Sequence, residues 1–157
     1  MAQIVTITNP LTGQPAQVDQ LDHTAQEIDD GIGFESTDYP GCYYRTVDGV
    51  VEWFNPPMQL GVEYRTTERY IGKSVYVKLV DFGPGANNTE KKVEHGASNA
   101  IVIDYGGYAK KDNGALSIPW ISHSTLSVSS TEIVMTANAN YSEYSVYVWI
   151  KYYKTTD

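Results

Sequence analysis

The sequence predicts a mainly β protein, in which an antiparallel β-sandwich follows a short helix and a β-hairpin. Three observations support this fold class. From about Arg69 onward, runs of alternating apolar and polar residues recur at the short spacing that is typical of a sandwich. An Asp48-Gly49 pair joins two more such runs, and one segment before it has a helical period. We expect residues 1–57 to form a stem and residues 58–157 to form the head domain.

The helical segment covers about residues 16–31. Its apolar residues are spaced three and four apart, as in the a/d seam of a coiled coil: Val18, Leu21, Ala25, Ile28 and Ile32. Pro15 suits the start of a helix, and Gly31 and Gly33 favour its end. Two heptads are too short to hold a coiled coil unaided, so another part of the chain must also associate. Periodicity alone leaves open a second arrangement, in which the helix packs on the sheet of its own subunit.

The next predicted element is a β-hairpin over about residues 42–54, which include the sequence YYRTVDGVVEWF. Asp-Gly suits the two positive-φ positions of a type I′ turn, and the residues on either side alternate as strands do. A lone hairpin is barely stable in water, so this one needs neighbours. Tyr43, Tyr44, Trp53 and Phe54 provide apolar area for such contacts.

The head domain is predicted from alternation along its strands. SVYVKLVDF, NAIVIDYGGY and YSVYVWIKYYK each place apolar residues on one face, whereas TEKKVEH has the pattern of an exposed strand. The predicted inner faces contain Val75, Val77, Leu79, Ile101, Ile103, Ile118, Val146, Val148 and Ile150. Both faces of the last strand are apolar or aromatic, which indicates a central strand or one that lies between its own core and a neighbouring subunit.

Charge and composition argue against several classes of partner. The net charge is −8 and the 11 Lys and Arg residues are scattered, so we expect no binding to nucleic acid or to anionic membranes. No apolar run approaches the roughly 20 residues that cross a bilayer, so we expect no membrane insertion. MAQIVTITNP lacks the basic start and the apolar segment of a secretion signal. Cys42 is the single cysteine, which excludes an internal disulfide.

The residue pattern offers no catalytic or metal site. His23, His95 and His123 are not spaced as metal ligands or as members of a catalytic triad. A catalytic role for Cys42 would need a base that nothing nearby in the sequence supplies. We therefore expect no enzyme activity, no metal and no cofactor.

Tyrosine is unusually abundant, with 13 Tyr and 3 Trp against 3 Phe. Tyr and Trp combine a flat apolar ring with a hydrogen-bonding edge, which suits them to interfaces and to stacking on sugar rings. The candidate ligand-binding residues, expected to be associated with loops, are Tyr105, Tyr108, Trp120, Tyr141 and Tyr144. The alternative is that these rings fill the core or a subunit interface.

Several longer strings are similar to a known family. TNPLTGQPAQVDQLDHTAQEIDDGI, and the stretch from EWFNPP to KKVEHG, resemble the terminal segments of bacteriophage and prophage tail-fibre and receptor-binding proteins. The head in that family opens with a pattern like Y-x-G-K-x-V-Y-x-K-x-x-[DN]-F-G, which corresponds here to Tyr70 to Gly83. K-x-V-x-H-G at Lys91 to Gly96 and Y-x-K-T at Tyr152 to Thr155 complete the resemblance. The GPGANN loop departs from the family, where a G-x-L-P-N turn is more usual.

The resemblance implies a homotrimer with a function in host attachment. The seam would then be a short parallel three-stranded coiled coil beneath three β heads, and the heads would recognise a bacterial cell-surface glycan without catalysis. The protein would be part of the virion, in a tail fibre or the distal tail, assembled in the bacterial cytoplasm beside other tail proteins. Two alternatives remain open: a purely structural fibre or decoration component, and a carbohydrate-active enzyme, for which the short chain leaves no room for a large β-helical scaffold.

Overall fold

The structure, a computed structural model, describes residues 4–8, 15–19, 34–36, 38–47, 49–112, 114–118 and 124–157. None of these residues is helical, so the prediction of a mainly β protein is confirmed. The strands are β1 (Ile4–Thr8), β2 (Pro15–Asp19), β3 (Phe34–Glu35), β4 (Tyr43–Val47), β5 (Val50–Trp53), β6 (Glu63–Tyr70), β7 (Lys73–Pro84), β8 (Glu90–Glu94), β9 (Ala100–Lys111), β10 (Gly114–Ile118), β11 (Ser124–Val128), β12 (Glu132–Ala137) and β13 (Ser145–Lys154). Within the described residues, no helix has the length and apolarity needed to cross a membrane.

The chain divides into two compact units. The first contains residues 1–57 and 64–68, and the second contains residues 58–63 and 69–157. Strand β6 therefore contributes its central residues to the first unit and its ends to the second.

The first unit begins with an antiparallel hairpin of β1 and β2, which corrects the predicted helix over residues 16–19. Val18 lies opposite Val5, and Ala16 lies opposite Ile7. The run IVTIT is rich in β-branched residues, which favour strands, and it pairs with β2 along its length. An isolated helix over so few residues would be only marginally stable in water. The other positions of the predicted seam, Leu21, Ala25, Ile28 and Ile32, lie outside the described residues.

The predicted hairpin at the end of the stem is confirmed. Strands β4 and β5 are antiparallel, and the pairing of Val47 with Val50 leaves a connection of two residues. Gly49 has φ of 77°, the conformation for which the Asp-Gly pair was expected. Strand β3 pairs with the other side of β4, and β5 has one parallel pair with β6.

Side chains of both apolar and charged type are buried in this first unit. The Trp53 ring lies 5.2 Å from the Tyr44 ring and 5.7 Å from the Tyr64 ring, between centroids. The Glu52 carboxylate is fully buried, with Arg65 Nε at 3.0 Å and an Arg45 guanidinium nitrogen at 3.4 Å. A buried carboxylate needs such partners because desolvation of an unpaired charge is costly.

The second unit encloses its core between two antiparallel sheets, as a β-sandwich does. Within this unit the larger sheet has the order β10-β9-β13-β7-β6, to which β6 contributes its end residues, and the smaller sheet has the order β11-β12-β8. Val146, Val148 and Ile150 of β13 have no exposed surface and belong to one apolar cluster with Ile133 and Met135 of β12. The prediction that these three residues of β13 are in the core is confirmed.

Strand β7 buries residues on both of its faces. Its Val80 and Phe82 belong to the core cluster. Of the residues predicted to be buried, Val75 and Val77 are, at 1% and 7% exposure, whereas Leu79 is half-buried. All three lie on the other face of β7, opposite Tyr153, Lys151 and Trp149 of β13. Both faces of β7 are apolar, so alternation does not choose between them, and a shift of one residue exchanges the two faces.

Strand β9 also differs from its prediction. Ile101 is 42% exposed, and Val102 packs against the core in its place. A bulge in the pairing of β9 with β13 leaves Ile103 as an additional residue, which shifts the alternation by one position. The side chain of Ile118, in β10, is not among those that the structure describes.

Candidate functional site

The larger sheet has a second face, directed away from the core, which carries aromatic side chains of β9 and β13. We call it the outer face and define it by Asp104, Gly106, Tyr108, Tyr147, Trp149, Lys151 and Tyr153. Directly opposite residues of an antiparallel pair point to the same side of a sheet. The register pairs Tyr147 with Tyr108, Trp149 with Gly106 and Lys151 with Asp104, so these residues form one continuous surface.

Trp149 lies flat on the backbone of β9. A Cβ atom at Gly106 would be 2.7 Å from Cζ2 and 2.9 Å from Cε2 of the indole, closer than side-chain atoms approach. Only glycine therefore accommodates the ring in this position. The indole is half-buried, and it adds a flat, largely apolar ring to the outer face.

Two tyrosine pairs extend the outer face on either side of the indole. Tyr108 and Tyr147 are stacked, with 5.1 Å between ring centroids and 28° between planes. Tyr153 is stacked on Tyr70, at 5.6 Å and 23°. At about 3.4 Å of rise per residue, the aromatic positions of β13 cover a row of about 20 Å. That length suits an extended ligand better than a single small molecule.

The polar groups of the outer face lie between its aromatic groups. Lys151 and Asp104 stand opposite each other, between Trp149 and Tyr153 along β13. The Lys73 ammonium lies 6.0 Å from the centroid of the Tyr153 ring. Charged and hydroxyl groups beside flat rings provide hydrogen bonds at the edges of a ligand that stacks on those rings.

Of the five residues predicted as a ligand site, the four that the structure describes do not lie on one surface. Tyr108 is on the outer face and 38% exposed, whereas Tyr105 is on the inner side of β9, 39% exposed, with its hydroxyl 3.4 Å from a carbonyl of β11. Tyr141 belongs to the buried core, so for it the alternative of core filling applies. Tyr144 is half-buried and packs edge-on against Tyr141, at 5.8 Å. Trp120 lies outside the described residues.

Sequence reasoning missed Tyr147, Trp149 and Gly106. Their strands were predicted, but the outward face of β13 was interpreted as that of a central strand or as a contact with a neighbouring subunit, and not as a ligand site. The Gly106-Gly107 pair within an otherwise regular strand pattern was the available signal, because a glycine inside a strand marks a bulge or a close approach of another group. Only the register shows that the group at Gly106 is an indole.

Other titratable groups of the second unit serve structural contacts. Burial raises the pKa of the Tyr152 hydroxyl, which donates a hydrogen bond to Glu63. A hydrogen bond from Lys111 lowers the pKa of the Glu143 carboxyl, which stays ionised at neutral pH. Across the described ranges, no three His, Cys, Asp or Glu side chains are grouped as metal ligands would be.

Comparisons with known proteins add nothing to this geometry. No family model, curated protein or solved structure matches the chain. The resemblance to tail-fibre proteins therefore remains a hypothesis from sequence patterns, and the function has to be argued from the outer face itself.

Proposed function

We propose that this protein is a non-catalytic receptor-binding component of a phage tail fibre, and that its outer face recognises a bacterial cell-surface glycan. The observation that supports this most is the indole of Trp149, which lies flat on Gly106 with stacked tyrosines on both sides. The apolar faces of sugar rings stack on such platforms, while phenol, ammonium and carboxylate groups bond the hydroxyls at the ring edges. The row suits a polysaccharide that runs along β13.

The proposal includes a homotrimer within the virion. A shallow sugar site on an open sheet binds weakly by itself, and three copies presented to one polymer raise the overall affinity by avidity. In this proposal the helical seam begins after Asp19, because Val18 belongs to β2, and it would comprise Leu21, Ala25, Ile28 and Ile32. Other tail proteins would hold the fibre on the virion.

A second candidate is a purely structural fibre component. The stacking of Tyr108 on Tyr147 and of Tyr70 on Tyr153 favours it, because rings that already cover one another also suit a flat contact between protein subunits. The two candidates differ in what the outer face contacts: a polysaccharide in the first and protein in the second.

A glycan array probed with the wild-type protein tests the leading candidate. Binding should be found to a subset of bacterial surface polysaccharides, and Trp149→Ala should weaken it about 5- to 150-fold, by analogy with stacking on nucleic-acid bases. Tyr108→Ala and Tyr105→Ala form a matched pair, since both residues are comparably exposed on β9 but only Tyr108 is on the outer face. Only Tyr108→Ala should reduce binding.

Each variant is first checked for an unchanged melting temperature and oligomeric mass. If no polysaccharide on the array binds, or if Trp149→Ala binds as well as the wild type, the outer face is not a glycan site. Loss of self-association in Tyr108→Ala without loss of glycan binding would favour the structural candidate.

A further inference from the structure

A depression of about 560 Å³ lies at one end of the sandwich in the second unit. Its walls are the connection from β8 to β9, residues 94–100, and the turn from β11 to β12 at residues 130–131. These two segments are neighbours because Glu132 at the start of β12 pairs with Glu94 at the end of β8. The volume is within the range of small-molecule sites in proteins, about 300–1,000 Å³.

One buried side chain holds the two walls together. His95 is 2% exposed, and its backbone N–H donates to the Thr131 carbonyl at 3.1 Å. Its ring Nε2 lies 3.3 Å from the Ser129 carbonyl oxygen, and its ring Nδ1 accepts the Ala97 N–H at 3.1 Å. The ring thus bonds both the β8–β9 connection and the β11–β12 turn.

These bonds define the chemical state of the imidazole. An N–H group can donate only to an unprotonated nitrogen, so Nδ1 carries no proton and Nε2 carries the one that is donated to Ser129. The ring is therefore neutral, and its pKa is lowered, mainly by burial. The Lys78 ammonium, which bonds the Gly96 carbonyl at 3.3 Å, places a positive charge on the same segment and opposes a second one.

The lining of the depression is small and polar. Ser98, Ser130 and Thr131 contribute hydroxyls, Asn99 contributes an amide and Glu94 a carboxylate. Hydroxyls and amides both donate and accept hydrogen bonds, which matches a ligand that itself carries many hydroxyls. The Glu94 carboxylate accepts only, and it disfavours an anion, as does the net charge of −8.

We propose that this depression binds a neutral, hydroxyl-rich ligand of the size of one or two sugar units, and that His95 is a positioning residue that holds its two walls in place. This is a site distinct from the outer face, with which it shares no residue. The proposal for this depression shares with the proposed function only the chemical class of the ligand. It would hold even if the outer face contacted only protein.

The first experiment uses the full-length, ¹⁵N-labelled protein and follows its amide signals by NMR. The probes are the methyl glycosides of glucose, galactose, mannose and N-acetylglucosamine, with methyl glucuronide as an anionic comparison, each up to tens of millimolar. We expect at least one neutral glycoside to shift the amide signals of Ser98, Asn99, Ser130 and Thr131 in a saturable manner. The glucuronide should shift them less.

The outcomes separate the two proposals. Saturable shifts at Gly106, Tyr147 and Trp149 alone would support the glycan function of the outer face and overturn the depression as a site. Shifts at neither place, or equal shifts with the glucuronide, would also overturn it. Shifts at the depression alone would support it whatever the outer face binds.

Matched variants test the lining residues. Glu94→Gln should weaken binding of the responsive glycoside about 3- to 10-fold, because the carboxylate is a stronger acceptor than an amide. Glu90→Gln, at the other end of β8, should leave it unchanged. A second pair tests a hydroxyl of the lining. Thr131→Ala should weaken binding, whereas Thr136→Ala, at an exposed position of β12 outside the depression, should leave it unchanged. Equal effects within either pair, or no effect of Glu94→Gln, would contradict the proposal.

Discussion

The two faces of β13 consist of alternate residues of one strand, yet they have different physical properties. The inner face is Val146, Val148, Ile150 and Tyr152, all fully buried, and its rings and methyl groups belong to the core cluster. The outer face has Tyr147, Trp149, Lys151 and Tyr153, all half-buried, with polar groups between the rings. The inner face stabilises the fold by removing apolar area from water. The outer face keeps flat rings accessible, which a core alone would not require.

The largest expected contrast between the faces is in stability. Ile150→Ala should lower the free energy of unfolding by about 2–5 kcal/mol, because it removes buried methyl groups and leaves a cavity. The neighbouring change Lys151→Ala, on the outer face, should cost less than about 1 kcal/mol. Urea unfolding of both variants measures the difference. Similar losses for the two would mean that the assignment of faces is wrong.

Gly106→Ala tests whether the indole position depends on glycine. The added methyl group would be 2.7 Å from the ring, so Trp149 has to move, at a cost of about 1–3 kcal/mol. Gly114→Ala is the matched control, since its nearest atom would be 3.7 Å away and its φ is not positive. We expect the control to be neutral or slightly stabilising. The measurements are the melting temperature and the tryptophan fluorescence spectrum; equal spectra in the two variants would contradict the packing of Trp149 on Gly106.

The tip of the β6–β7 hairpin belongs to neither face, so a substitution there changes mainly the conformational energy of the backbone. Ile71 and Gly72 both have positive φ, 49° and 76°, and Ile71 is 77% exposed. A β-branched residue is unfavourable there, whereas Asn-Gly is the preferred pair for such a turn. Ile71→Asn should therefore stabilise the protein by about 1 kcal/mol, as measured by urea unfolding. A loss of stability would show that the Ile71 side chain makes a contact that stabilises the fold.

The smallest effect expected is the pH dependence that comes from His95. Burial lowers its pKa in the folded protein below the ordinary value of 6.5, so the unfolded chain binds more protons near and below that pH. Its contribution to stability is complete above pH 6.5 and decreases as the pH falls towards the folded-state pKa. Unfolding free energies at pH 5 and pH 7.5 should differ more for the wild type than for His95→Gln. An identical difference in both proteins would exclude His95 as the cause.

Local sequence patterns were reliable where a single signal decides the element. The Asp48-Gly49 pair and its alternating flanks predicted the hairpin of β4 and β5, and alternation predicted the inward residues of β13. Prediction was wrong where two patterns compete in one segment. Val18 satisfied a heptad seam, but it equally satisfies the alternation of a strand, and the partner strand β1 decides between them.

The sequence by itself determined the mainly β class, the existence of most strands and the abundance of tyrosine, because period-two patterning and turn residues act over a few neighbouring residues. Tertiary structure alone decided which face of β7 and β9 packs into the cluster between the two sheets, since pairing with β13 and the bulge in β9 set the register. It also placed Trp149 on Gly106, 43 residues apart in the chain, and brought the His95 ring to the turn after β11. Both candidate sites arise from contacts between distant segments, whose pairing no local pattern specifies.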